Sequence, residues 1–337
     1  MTLWERRLGA ENALPFGDLS PDAVLDAVEA TGRACDGRLL ALNSYENRVY
    51  QVGLHDDLPL VAKFYRPGRW SDEAIDEEHA FTLELAGLEI PVVAPLVDDG
   101  SALHRHAGFR FALFPRRGGR APEPGDPEQL NWIGRFLGRI HAAGAVRTFA
   151  HRPAVDVASY AIASRDWLLE HDCIPTDLLP AWRSTVDDLL PRLDAAFARA
   201  GDYARIRLHG DCHMGNILWT DAGPHFVDLD DCRTGPAVQD LWMLLSGDRA
   251  EMTAQMIEVV EGYEDFHEFD PRELHLIEAL RTMRMLHHAA WIAQRWIDPA
   301  FPAAFPWFGG QRFWEEQVLG LREQTALLDE PPLRLVP

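Results

Sequence analysis

Apolar and polar positions alternate in two different rhythms along the chain, strand-like over the first third and helical beyond it. Ser20-Pro21-Asp22 opens a helix, because Ser20 can cap it and Pro21 suits a first position that needs no amide donor. Val24, Leu25 and Val28 carry its apolar face, and Gly32 ends it. Residues 38–42 and 48–52 read as strands around the polar turn 43–47. Residues 58–65 form a third strand, with Lys63 inside an apolar run. Ser71 then caps a helix with Asp72 and Glu73 in its first turn and Phe81 and Leu85 on its apolar face. Residues 90–95 and 109–114 supply two more strands. At 115–120 the texture changes to Gly, Pro and Arg, which marks a hinge.

Beyond the hinge the period is helical. A helix starts at Asp126 or Pro127 and runs through His141, with Ile133, Phe136, Leu137 and Ile140 as its buried stripe. Residues 156–171, 180–200, 251–268 and 271–297 read as further helices. Residues 301–310 carry too much proline for a helix and should pack on the helical part or wall a cleft. The expected organisation is a lobe over 1–114 and a helical lobe over 115–337.

Composition narrows the class. With 47% hydrophobic residues and 11 Trp, the 337-residue chain can bury a sizeable core. A net charge of −21 argues against nucleic acid or an anionic membrane as partner, but a local basic pocket could still take a phosphate ligand. The start, Met1 to Arg7, lacks the apolar core of a signal peptide, and no run approaches a membrane span. Four scattered cysteines without a C-x-x-C pair fit reduced thiols in the cytoplasm.

The chemistry concentrates in 208–231. Apolar runs at 217–219 and 225–227 bracket Asp221-Ala222-Gly223-Pro224 and predict a short hairpin. Asp211 lies on the loop entering it, Asn216 at its first strand, and Asp228 just past its second. A loop carboxylate can take a proton from a hydroxyl, and an amide oxygen with a second carboxylate suits Mg²⁺. His209-Gly210-Asp211, Asn216 five residues on, and Asp228-Leu229-Asp230 repeat the phosphoryl-transfer pattern of kinase-like enzymes. An alternative takes His209, Asp211 and His213 as metal ligands, but it leaves Asn216 and Asp228 without a role. Lys63 sits where such enzymes keep the lysine of the α- and β-phosphates, and Glu78, or else Glu77, is placed to pair with it. The turn 43–47 lacks the glycines of a phosphate loop, and Ser44 is its candidate phosphate contact. The adenine would lie against the hinge near 114–116.

Residues 61–67, 208–219, 226–231 and 235–245, with Phe301-Pro302 to Trp307 and Glu330-Pro331-Pro332-Leu333, resemble the stress response kinase A family. These are RdoA-type bacterial Ser/Thr protein kinases. The resemblance runs almost end to end. It implies an α+β, two-lobed protein-kinase-like fold of the aminoglycoside phosphotransferase and choline kinase type, with a small antiparallel-sheet lobe first. It implies a monomeric, cytoplasmic enzyme that uses ATP and Mg²⁺ and phosphorylates itself and other proteins on Ser/Thr. In that family's scheme Asp211 maps to the proton acceptor, Asn216 and Asp228 to the Mg²⁺ ligands, and Ser44 to an ATP-loop serine. Asp240 maps to a buried aspartate bracing the catalytic loop. Two other functions remain open: a kinase of a small amino alcohol, which the acidic composition suits, and a nucleotide-binding pseudokinase scaffold.

Overall fold

The computed structural model describes residues 14–335; the Met1–Arg7 stretch read above for a signal peptide lies outside them. Helix α1 (Pro21–Glu29) is capped as the sequence requires, Ser20 Oγ accepting from Ala23 N at 3.1 Å. Strands β1 (Cys35–Ala41), β2 (Arg48–Leu54) and β3 (Leu60–Phe64) follow. Next come α2 (Asp72–Gly87), β4 (His104–His106) and β5 (Phe109–Pro115). The five strands form one antiparallel sheet in the order β1-β2-β3-β5-β4. One face packs Val52, Ala62, Phe64 and Leu113 against Val24 and Val28 of α1. On the other face Tyr65 and Ala112 meet Ile75 of α2. The far turns of α2 place Phe81 and Leu85 in the larger core that follows, so this helix joins the two halves.

The remainder is mostly helical: α3 (Pro127–Gly144), α4 (Ala163–Glu170), preceded by a wide π turn at Ala158–Ile162, and α5 (Leu179–Ala200). Short strands β6 (Ile206–Leu208) and β9 (Arg233–Gly235) pair with each other, and β7 (Ile217–Thr220) with β8 (Gly223–Phe226) forms the predicted hairpin. Helices α6 (Val238–Trp242), α7 (Arg249–Tyr263), α8 (Ile277–Gln294), α9 (Ala300–Ala304) and α10 (Gln311–Leu327) complete the chain. Helices α3 and α7 pack backbone to backbone: a Cβ on Gly134 would stand 2.1 Å from Val259 O. The α+β class, an antiparallel sheet followed by a helical body, is as the sequence suggests.

Two local expectations fail. Residues 90–95 form no strand of the main sheet. Pro91 and Pro95 have no amide to donate, so the segment makes one parallel bridge, Val92 to Phe226, beside β8. Residues 301–310 are not free of helix. Pro302 sits in the first turn of α9, where backbone N–H groups have no helical partner to lose.

Candidate active site

Strand β6 delivers His209-Gly210-Asp211 into a loop that a buried carboxylate holds in shape. Asp240, fully buried, accepts from His209 N and Gly210 N at 2.8 Å each and from His141 Nε2 at 3.0 Å. Such a carboxylate tolerates burial because donors surround it. Gly210 has φ +86°, and a Cβ there would stand 2.1 Å from Asp231 O, so only glycine fits. His209 Nε2 donates to Val227 O at 2.9 Å, tying the loop to the segment that leads to Asp228. With its ring used this way His209 is no metal ligand, and no cluster of three or more metal-binding His, Cys, Asp or Glu residues occurs among the described residues.

Asn216 ends a 3₁₀ turn and donates Nδ2 to Asp211 O at 3.0 Å, which leaves its amide oxygen available as an acceptor. Asp228 adopts a left-handed backbone (φ 59°, ψ 65°), a conformation that costs a non-glycine residue free energy, and keeps its side chain 53% exposed. Lys63 Nζ, by contrast, is buried. It lies 3.1 Å from Glu78 Oε1, 3.0 Å from Asp228 Oδ1 and 3.1 Å from Asp230 Oδ1. Burial alone would lower the lysine's pKa, but the charges of Asp228, Asp230 and Glu78 outweigh it and hold the pKa well above its ordinary value. The ammonium is therefore permanent. Asp230 is kept ionised in the same way: burial raises its carboxyl, while Lys63 and Arg69 bring it down to about 2.

The choice between the two glutamates falls to Glu78. Its other oxygen accepts from Arg152 Nη2 at 3.0 Å. Glu77 instead accepts from the backbone N–H groups of Ala150, His151 and Arg152 at 2.6–2.9 Å. Ser44 lies in the β1–β2 turn, and its hydroxyl donates to Asn47 O at 2.9 Å within that turn. The same turn is held by α8, since Glu46 Oε2 accepts from Trp291 Nε1 at 2.5 Å and Arg295 Nε at 2.6 Å.

Several participants left no readable trace in the sequence. Asp230 closes the Asp228-Leu229-Asp230 motif, but its role as a third carboxylate on Lys63 was not readable there. Arg152 comes from a loop and Arg69 from a turn, and Arg69 binds both Asp230 and Asp231. Arg284 of α8 donates to Asp211 Oδ1 at 2.7 Å. Arg152 on Glu78 and Arg69 on Asp230 leave Asp228 the most exposed carboxylate on Lys63, and it supplies hard donors together with the Asn216 amide oxygen. The residues present fit a divalent cation such as Mg²⁺.

A strand lysine clamped by a helical glutamate, above a loop aspartate and an Asn/Asp pair, defines a kinase-like phosphotransferase. The chain belongs to the phosphotransferase enzyme family, whose model matches residues 38–277. It is 47% identical over 326 residues to stress response kinase A of Escherichia coli (strain K12), covering 97% of this chain and 98% of that one. It is also 47% identical to the serine/threonine protein kinase RdoA of Salmonella typhimurium (strain LT2), over 97% and 99%. Among solved structures, amicoumacin kinase hAmiN in complex with AMP-PNP, Ca²⁺ and Ami superposes with a TM-score of 0.69 at 18% identity, over 93% of this chain and 95% of that one. A microcompartment-associated aminopropanol kinase gives 0.67 at 17%, over 93% and 100%. These two likenesses establish the fold.

Proposed function

We propose that this chain transfers the γ-phosphoryl group of ATP, with Mg²⁺, to Ser/Thr hydroxyls of proteins, itself included, as part of a stress response. The observation that carries the reading is the pairing of Lys63 with Asp228 and of Asn216 with Asp211, on segments joined by the 3.0 Å hydrogen bond from Val227 N to Asn216 O. Lys63, steadied by Glu78, binds the α- and β-phosphates. Asn216 and Asp228 would hold Mg²⁺, which when bound neutralises phosphate charge. Asp211 accepts the acceptor's hydroxyl proton as that oxygen bonds to the γ-phosphorus, the bridging P–O bond breaks and ADP leaves. Most of the rate would come from positioning and charge neutralisation. Ser44 reaches a phosphate by turning its hydroxyl away from Asn47 O, and the adenine rests on the backbone near 114–116. The division into lobes at 114/115, a monomeric state and a cytoplasmic location belong to the same reading. No helix among the described residues is long and apolar enough to cross a membrane.

Protein hydroxyls are favoured over an amino alcohol by Arg284, whose positive charge beside Asp211 repels a cationic acceptor. The name of the Salmonella relative, a serine/threonine protein kinase, supports the same choice. The test is phosphoryl transfer from Mg-ATP to generic proteins and to a panel of small alcohols, with wild type and Asp211→Asn. Transfer to protein is expected, and Asp211→Asn should lower it ~10²–10⁴-fold with ATP affinity kept. Transfer only to an amino alcohol would replace the reading by its rival. ATP binding without transfer would make the chain a scaffold.

A further inference from the structure

Arg284 is conspicuous because the phosphoryl-transfer steps outlined above do not use it. It lies mid-way along α8, 73 residues from Asp211, and reaches that carboxylate with a 2.7 Å charge-assisted hydrogen bond. The other carboxylate oxygen, Oδ2, has only long contacts: 3.5 Å to Asn216 Nδ2 and 3.5 Å to His213 Nε2. Contacts of that length hold little. Among the described residues Arg284 is the one arginine or lysine in ion-pair reach of Asp211.

We infer that Arg284 is a positioning residue for phosphoryl transfer, fixing the Asp211 carboxylate through Oδ1 so that Oδ2 is presented to the acceptor hydroxyl. The inference rests on Asp211 being the base. The carboxyl torsion of an aspartate is broad, so an anchored backbone does not by itself orient the oxygens. Asn216 and Asp240 hold the main chain of this loop, and among the described residues Arg284 alone grips the side chain at normal hydrogen-bond length. Stability does not account for the pair. Its side chains are 39% and 23% exposed, and ion pairs so open contribute little to folding. The helix that carries Arg284 is well fixed, with Leu280, Met283 and Leu286 buried on either side of it. Its last turns hold the β1–β2 turn through Trp291 and Arg295.

The experiment measures ADP release from Mg-ATP with dephosphorylated casein, using the full chain as wild type, Arg284→Ala, Arg284→Lys, Asp211→Asn and the Asp211→Asn/Arg284→Ala double variant. Arg284→Ala should lower kcat about 10–100-fold, the scale of a charge-assisted hydrogen bond, with the KM for ATP kept within about twofold. Its melting temperature should stay near that of wild type. Arg284→Lys should recover part of the rate, and millimolar guanidinium should partly rescue Arg284→Ala. The double variant should be no slower than Asp211→Asn alone, because Arg284 acts only through that carboxylate. An unchanged kcat in Arg284→Ala, or a full further loss in the double variant, would overturn the assignment. If Asp211→Asn itself turns over like wild type, the base assignment is what fails.

Discussion

Adjacent residues in this site do different work, and Glu77 and Glu78 show it most clearly. They sit one step apart on α2, so they point about 100° apart around the helix. Glu78 is buried between Lys63 and Arg152. Glu77 caps three backbone amides of the loop at 150–152. Glu78→Gln should weaken Mg-ATP binding at least tenfold in a calorimetric titration, and it should also destabilise the fold by about 3–5 kcal/mol, because it strands buried cations. Glu77→Gln should leave nucleotide affinity within about twofold and cost only about 1–2 kcal/mol in urea unfolding. Equal effects on nucleotide binding would remove the distinction. Lys63, Asp211, Asn216 and Asp228 were legible one by one, since motif spacing is local. Arg284 and Arg152 were not, because nothing in a lone arginine tells which carboxylate, 73 or 74 residues away, it will meet.

Among the elements, the short helix α6 matters beyond its five residues, because it carries Asp240. Its start is held by Glu273, from the 3₁₀ turn Pro271–Leu276, whose Oε2 accepts from Val238 N at 2.8 Å. Burial raises the Glu273 carboxyl to about 7 against the pull of that amide. The folded state therefore binds a proton more tightly than the unfolded chain. The resulting stabilisation is full below the unfolded value near 4.5 and is lost as pH rises through about 7. Glu273→Gln cannot titrate, so wild type should lose about 3 kcal/mol relative to it between pH 4.5 and 8, as read from urea unfolding. Parallel curves for the two proteins would show that Glu273 does not titrate in this window. The helix starts at Ser20, Ser71 and Asp126 were all readable, since a cap acts within three residues. Helix α10 and the five-residue α9 were not, as the aromatic and proline spacing around them matches no single period.

Over the whole molecule, a net charge of −21 conceals a seam of ion pairs between the sheet and the helices. Asp298, 1% exposed on the helical side, binds Arg48 at 2.5 Å and Arg66 at 2.6 Å on the sheet side. Glu46 adds Arg66 at 2.9 Å and Arg295 at 2.6 Å. The aromatic tail closes over the same seam, Phe305 packing edge-on against Tyr45 and Trp291. The segment with the proline and aromatic repeats thus holds the β1–β2 turn against the helical body. Asp298→Ala should cost about 3–5 kcal/mol, the scale for breaking a buried pair and leaving its cations unmatched. Chemical unfolding measures it, and a loss under 1 kcal/mol would mean that water screens the seam.

By itself the sequence determined what short range can determine: helix caps, strand alternation, the hairpin at 217–226, and the spacing of Asp211, Asn216 and Asp228. It also carried the family, because motif order survives along the chain. Tertiary structure alone decided which charges meet. It turned Glu78 rather than Glu77 toward Lys63, added Asp230 to the same ammonium, and brought Arg284 to Asp211. The physical reason is range. A cap or a turn is settled by neighbours within a few residues, whereas an ion pair across a cleft exists only once the cores on either side have fixed both backbones.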